Sequence, residues 1–277
     1  MIADRDLSGL PIRVHYPPRG EGPFPVIVFS HGLGGSRLGY GYLGRCWAAH
    51  GYVSIHPSHH ESKGLGVFEE AVEGQGAPRL EALRAMKEAI DDPRNWEARP
   101  RDVARVIDRI DDLGIAALRG KLDGQRIGIS GHSYGGYTTL LCAGARLEGG
   151  QHWTEPRASA FLAMSPPGHG SRGLGAGSWP DVHRPVLCLT GTKDSGLQGQ
   201  PPAWREEAFE HLPAGSKTLV VLEGAEHFTF SGGRPRKQAD PAHLRQIEQV
   251  SLWFWDRHLR GLDAPFPAFE GARVEHK

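Results

Sequence analysis

The sequence predicts an α/β protein whose central sheet is mostly parallel and covered by helices on both faces. Short apolar runs alternate with amphipathic segments along essentially the whole chain, the grammar of repeated βαβ units. Several runs, Val26-Ile27-Val28-Phe29 above all, are apolar at consecutive positions, as in strands buried on both sides. Between them lie 38 Gly and 21 Pro among 277 residues, an excess without fixed period that excludes a collagen-like chain and favours tight turns. A single domain over 1–277 is expected, with no internal repeat and no linker.

The first element is extended: Ile12, Val14 and Tyr16 alternate with Arg13 and His15 until Pro17-Pro18 ends the run. Strand Val26–Phe29 breaks at Ser30-His31-Gly32-Leu33-Gly34-Gly35-Ser36, and a short helix over Tyr42–His50 leads through Gly51 to strand Tyr52–His56. Residues 57–98 read as an insertion holding a helix from Pro78 to Asp92 that Pro93 stops. Extra chain at this point lies over the carboxyl ends of the strands, so 57–98 is expected to be a lid or an edge element. The crossover helix is predicted over Arg101–Leu113, where Val103, Val106, Ile107 and Ile110 share one face and Asp102, Arg105, Arg109 and Asp112 the other. Next come strand Gln125–Gly131, helix Tyr137–Ala145, strand Ala160–Met164, and a glycine-rich, mobile loop at Gly168–Gly177. Strand Pro185–Thr190, helix Ala203–Leu212 and strand Thr218–Leu222 follow. The last helix, Pro241–Leu259, has Asp240 at its cap, Pro241 at its first position, and Leu244, Ile247, Val250 and Phe254 facing inward.

Composition narrows the function. Thirty-two Lys plus Arg against 32 Asp plus Glu leave no basic field for nucleic acid and no acidic tail. Cys46, Cys142 and Cys188 match neither a disulfide framework nor a zinc pattern, so they read as buried thiols. No run approaches 18 apolar residues and charged residues follow Met1, which predicts no membrane span and a cytoplasmic protein. A leader removed ahead of this sequence would instead make it secreted or periplasmic.

Chemistry concentrates at Gly131-His132-Ser133-Tyr134-Gly135, a G-x-S-x-G between a predicted strand and a predicted helix. The two glycines are needed because side chains there would collide with the tight nucleophile turn. A serine hydroxyl is a poor nucleophile at neutral pH and requires a base held by an acid, in the chain order Ser, acid, His on this architecture. His227 follows the last predicted parallel strand; His211, His243 and His258 lie on predicted helices and His276 in the tail. Asp194 follows strand Pro185–Thr190 and is the preferred acid over Asp181, which precedes that strand, and Glu226, which adjoins the base. The oxyanion donors are the backbone N–H groups of Leu33 and Tyr134. His56, His59 and His60 with Glu61 invite a metal reading, but the Ser–Asp–His set needs no ion, so a rim or pocket role is expected, with no metal and no cofactor.

Phe29-Ser30-His31-Gly32-Leu33-Gly34 together with Gly131-His132-Ser133-Tyr134-Gly135-Gly136 resembles the α/β-hydrolase superfamily. More narrowly, the chain resembles serine esterases of the dienelactone-hydrolase-like and platelet-activating-factor-acetylhydrolase-like families over roughly residues 10–260. The resemblance implies the α/β-hydrolase fold and maps the oxyanion pair onto Leu33 and Tyr134. Two departures stand out: dienelactone hydrolases proper use cysteine where this chain has Ser133, and eukaryotic acetylhydrolases take their acid one strand earlier. The corresponding loop here, Ser165–His169, holds no carboxylate, which leaves Asp194.

The expected reaction is hydrolysis of a small-molecule carboxylic ester, of short to medium acyl length, through an acyl-enzyme on Ser133. An amidase or small-peptide hydrolase with the same triad and an inactive binding protein on the same fold are the alternatives, and monomer and homodimer both remain open. Tyr40, Tyr42, Trp96, Trp153 and Trp179 are candidate pocket residues, though each reads first as core. No localised arginine pair is assigned to the site, so no anionic substrate is demanded.

Overall fold

A computed structural model describes residues 1–61, 84, 88–89, 91–196, 198–234 and 237–277. Among them, nine strands share one sheet: β1 (Ile2–Asp6), β2 (Pro11–His15), β3 (Phe24–Ser30), β4 (Val53–Pro57), β5 (Leu122–His132), β6 (Ala158–Met164), β7 (Val186–Lys193), β8 (Lys217–Glu226) and β11 (Ala272–His276). A separate ribbon pairs β9 (Gly233–Arg234) with β10 (Lys237–Gln238). The order across the sheet is β1-β2-β4-β3-β5-β6-β7-β8-β11. The six strands from β4 to β8 run parallel, and the edges β1-β2 and β11 run antiparallel to their neighbours.

Strand alternation divides the core in two. Val26 and Val28 face one cluster with Ile127, Ile129 and Phe161, where α2 (Pro93–Asp108) adds Val103 and Ile107 and α3 (Tyr134–Ala143) adds Leu140 and Leu141. Ile27 and Phe29 face the other with Leu162 and Leu187. There α1 (Gly41–Ala49) brings Leu43 and Trp47, and α5 (Pro241–Arg260) brings Ile247, Phe254 and Trp255. Trp47 and Trp255 meet edge to face at 6.1 Å, and the indole N–H of Trp47 donates to Ser251 at 2.9 Å. A short α4 (Glu207–His211) follows a 3₁₀ turn at Pro202–Arg205, where a continuous helix over Ala203–Leu212 was expected.

The crossover differs from its sequence pattern. Pro93 opens α2: Asp92 accepts from the Arg94 N–H at 2.9 Å, a cap with proline at the first position. The helix absorbs Pro100 and ends at Asp108, with Ile110–Asp112 a 3₁₀ turn beyond it. Helix α3 begins at Tyr134, three residues before the predicted start. Most of the predicted helix Pro78–Asp92 and of the expected lid lies outside the described residues.

Gly168–Gly177, expected to be mobile, is stitched down. Gly170 N–H donates to Leu174, Tyr137 Oη–H donates to the Arg172 carbonyl at 2.8 Å, and Leu174 is buried. Cys142 and Cys188 are buried free thiols and Cys46 is partly buried; burial pushes Cys46 and Cys188 up to about 12. Among the described residues, no helix is long and apolar enough to cross a membrane.

Candidate active site

Four strand ends converge on one place. Strand β5 ends at His132, so Ser133 occupies the turn into α3 with φ 56° and ψ −112°, a strained conformation for a residue with a side chain. Both glycines of the motif are required by close approach. A Cβ on Gly135 would lie 1.9 Å from the Ser30 carbonyl oxygen, and one on Gly131 would lie 2.3 Å from that of Gly135. Strand β7 ends one residue before Asp194, β8 one residue before His227, and β3 three residues before Leu33.

Ser133 Oγ lies 3.0 Å from His227 Nε2, and His227 Nδ1 lies 2.9 Å from Asp194 Oδ1. Asp194 is fully buried and accepts from Thr190 Oγ1–H at 2.8 Å. Burial would raise its pKa, but the hydrogen bond to His227 and the charge of Arg205 overcome that and hold it at about 2. Burial lowers His227 below the ordinary histidine value against the opposing pull of Asp194. The base is therefore neutral at pH 7 and the acid ionised, the states that general-base catalysis requires.

The other candidates are engaged elsewhere. Asp181 pairs with Arg146 and Glu226 lies 3.6 Å from Lys237. His211 Nδ1 lies beside the Glu207 carbonyl, and His243 Nε2 beside that of Glu223. His258 stacks on Phe254, and His276 sits on β11.

The geometry of the loop after β3 bears on Leu33. The Gly32 carbonyl accepts from Gly35 N–H at 3.0 Å and lies 2.7 Å from His31 Nδ1. In a planar trans peptide the next N–H points the opposite way, so the Leu33 N–H faces away from these partners. Neither it nor the Tyr134 N–H has an acceptor among the described residues.

A second Ser–His–Asp line lies beneath this loop. Ser30 Oγ is 2.8 Å from His59 Nε2, whose Nδ1 is 2.9 Å from Asp102 Oδ2. Ser30 and His59 are both wholly buried, whereas Ser133 is half-buried. Arg99, also fully buried, donates from Nε to Glu61 at 2.7 Å and from Nη1 to the His31 carbonyl. His59 and Glu61 are thus interior struts and not rim residues, and His56 is buried beside His15. No group of side chains among the described residues is arranged to hold a metal ion.

Tyr40 and Trp179 are buried and hydrogen-bonded within the fold, in keeping with the core reading. The expectation of no localised arginine pair needs correction. Arginines do gather at the site: the Arg99 and Arg172 guanidinium carbons lie 4.2 and 5.1 Å from the Tyr134 ring centre. Arg205 Nε lies 3.3 Å from Asp194 Oδ1, and its Nη1 donates to the Ser165 carbonyl at 3.0 Å. Nothing in the sequence near Arg205 or Arg99 marks them, because their partners lie far away along the chain.

A nucleophile turn at the end of a central parallel strand, with its partners on later strand ends, is the architecture of the α/β-hydrolase fold. Within it the chain resembles the platelet-activating-factor-acetylhydrolase-like and dienelactone-hydrolase-like families. Residues 9–92 match the family of platelet-activating factor acetylhydrolase, isoform II. The platelet-activating factor acetylhydrolase of Cavia porcellus is 29% identical over 93% of this chain and 62% of its own length. A bis(hydroxyethyl) terephthalate hydrolase of Streptomyces coelicolor is 24% identical over 82% of this chain and 60% of its own. The chain thus spans less than two thirds of the length of either relative. A solved structure from Klebsiella pneumoniae, assigned as a dienelactone hydrolase, superposes with a TM-score of 0.68 at 19% identity, covering 93% of this chain and 99% of that one.

Proposed function

We propose that this chain is a serine hydrolase that cleaves carboxylic esters of short to medium acyl length through an acyl-enzyme on Ser133. The observation that carries the reading is the continuous line from Ser133 Oγ through His227 to buried, ionised Asp194. Ser133 Oγ attacks the ester carbonyl while His227 Nε2 takes its proton. The N–H groups of Leu33 and Tyr134 donate to the oxyanion. Collapse breaks the bond to the alcohol oxygen, which receives the proton from His227. Water then attacks the acyl group, His227 taking its proton and returning it to Ser133 Oγ as the acid departs. No step asks for a metal or cofactor.

Ser133 is preferred to Ser30 on access, since a wholly buried hydroxyl on a regular strand cannot meet an ester. The names of the relatives favour esters over amides: an acetylhydrolase, a bis(hydroxyethyl) terephthalate hydrolase and the cutinase est2 of Thermobifida alba. A series of p-nitrophenyl esters from acetate to palmitate, beside an anilide, is the direct test. Ser133→Ala is expected to lower turnover at least about a thousandfold, and a fluorophosphonate probe to label Ser133 and not Ser30. A folded Ser133→Ala variant keeping half the activity, or labelling at Ser30, would refute the assignment. Faster cleavage of the anilide than of every ester would move the substrate class to amides.

A further inference from the structure

The side chain inside the nucleophile motif that the reaction does not use is His132. It is buried and joins two parts of the site in one line. Gly32 N–H donates to Tyr40 Oη at 3.1 Å, Tyr40 Oη lies 2.9 Å from His132 Nδ1, and His132 Nε2 lies 3.0 Å from the carbonyl oxygen of His227. With a neutral imidazole, only one arrangement of hydrogens satisfies all three contacts. A backbone N–H can only donate, so the phenol oxygen accepts from Gly32; the phenol has a single hydrogen, which goes to His132 Nδ1. A backbone carbonyl can only accept, so Nε2 carries the imidazole hydrogen. The line therefore runs in one direction, from the oxyanion loop to the backbone of the base.

We infer that Tyr40 and His132 are positioning residues that lock the loop bearing Leu33 to His227, so that oxyanion donor and base keep a fixed separation through the reaction. The inference rests on the reading of Ser133 and His227 given above. Three further observations support it. Tyr40 holds its backbone at φ 58° and ψ 22° at the start of α1, left-handed geometry that costs a residue with a side chain free energy, and that geometry aims the phenol at His132. Gly32 has its N–H held by Tyr40 and its carbonyl held by Gly35, so both peptide planes preceding Leu33 N–H are fixed. Burial also keeps His132 neutral, as the line requires, and holds the Tyr40 phenol up at about 12, so its hydrogen stays in place.

Tyr40→Phe removes one oxygen and strands the Gly32 N–H and His132 Nδ1. With p-nitrophenyl butyrate, kcat is expected to fall roughly ten- to a hundredfold while KM stays within about threefold, because the interaction matters for the transition state and not for holding substrate. His132→Phe, which keeps a ring in place but can neither accept from Tyr40 nor donate to the His227 carbonyl, is expected to show the same split. Nitrogen-15 NMR of the histidine-labelled parent should show His132 as the Nε2–H tautomer at neutral pH, and Tyr40→Phe should shift that tautomer signal. A folded variant of either kind with kcat within twofold of the parent overturns the proposal, as does an Nδ1–H tautomer in the parent, which needs no mutation to observe. Should Ser133→Ala retain activity, the reading of the reaction fails while the proton order in His132 stands, so the two failures are separable.

Discussion

At Ser133 the chemistry and the backbone make opposite demands. The positive φ that lifts the hydroxyl out of the sheet costs on the order of 1–3 kcal/mol for a residue with a Cβ. Ser133→Ala keeps that strain and loses the proposed nucleophile, whereas Ser133→Gly loses both. We expect Ser133→Gly to be the more stable inactive variant by about 1 kcal/mol, even after the larger unfolded-chain entropy of glycine. Thermal unfolding of the two measures this, and a higher Tm for the alanine variant would show the turn to be unstrained. His227 sets a second expectation. Because burial lowers its pKa, the neutral base survives into mildly acidic solution, and the acid limb of kcat/KM should lie below pH 6.5. A limb centred above pH 7 would contradict the site. Ser133, Asp194 and His227 were legible because each follows an apolar run that declares a strand. Arg205, Arg99, Tyr40 and His132 were not, since their meaning lies in partners such as Asp194, Glu61 and Gly32 that folding alone brings near.

Elements are fixed by what they press against. Strand β5 carries Gly128 where a Cβ would sit 2.6 Å from the Trp255 ring of α5, a rigid neighbour that cannot swing aside. Gly128→Ala is therefore expected to cost about 1–3 kcal/mol, and Trp255→Leu in the same chain to recover part of it. Denaturant midpoints of the two singles and the double measure this; strict additivity would mean the two residues do not meet. The central strands could be read from sequence because burial on both faces writes a continuous apolar run. Edge strands β1 and β11 could not: their residues are mostly exposed, and Ala3, Asp4 and Arg5 or Arg273, Val274 and Glu275 look like any loop. The start of α2 at Pro93, eight residues before the expected Arg101, was missed for a different reason. Proline ends one helix and begins the next by the same lack of an N–H, and only the Asp92 side chain capping Arg94 tells which.

Across the whole molecule, stability and pH are tied through a buried pair away from the site. His15 and His56 lie with ring centres 5.0 Å apart, and neither nitrogen of His15 has a hydrogen-bond partner among the described residues. Burial, helped by the charges of Arg13, Arg45 and the amino terminus, brings His15 down to about 4. The folded state thus stays unprotonated while the unfolded chain takes up a proton near pH 6.5, so this stability is complete above pH 6.5 and is lost progressively as the pH falls towards 4. Urea midpoints at pH 7.5 and 4.5 should show the fall, and His15→Leu should shrink it; an equal fall in the variant would assign the effect elsewhere. The same wide assembly governs when the reaction can begin. Leu33, Ser133, Asp194 and His227 hang from β3, β5, β7 and β8, and no two of the four are neighbours in sequence. While the chain is still emerging from the ribosome, the serine is made about ninety residues before its base, and during that interval the hydroxyl is only an ordinary alcohol. On the proposed assignment, activity waits until β8 has joined the sheet, and a nascent chain stalled before His227 would have none.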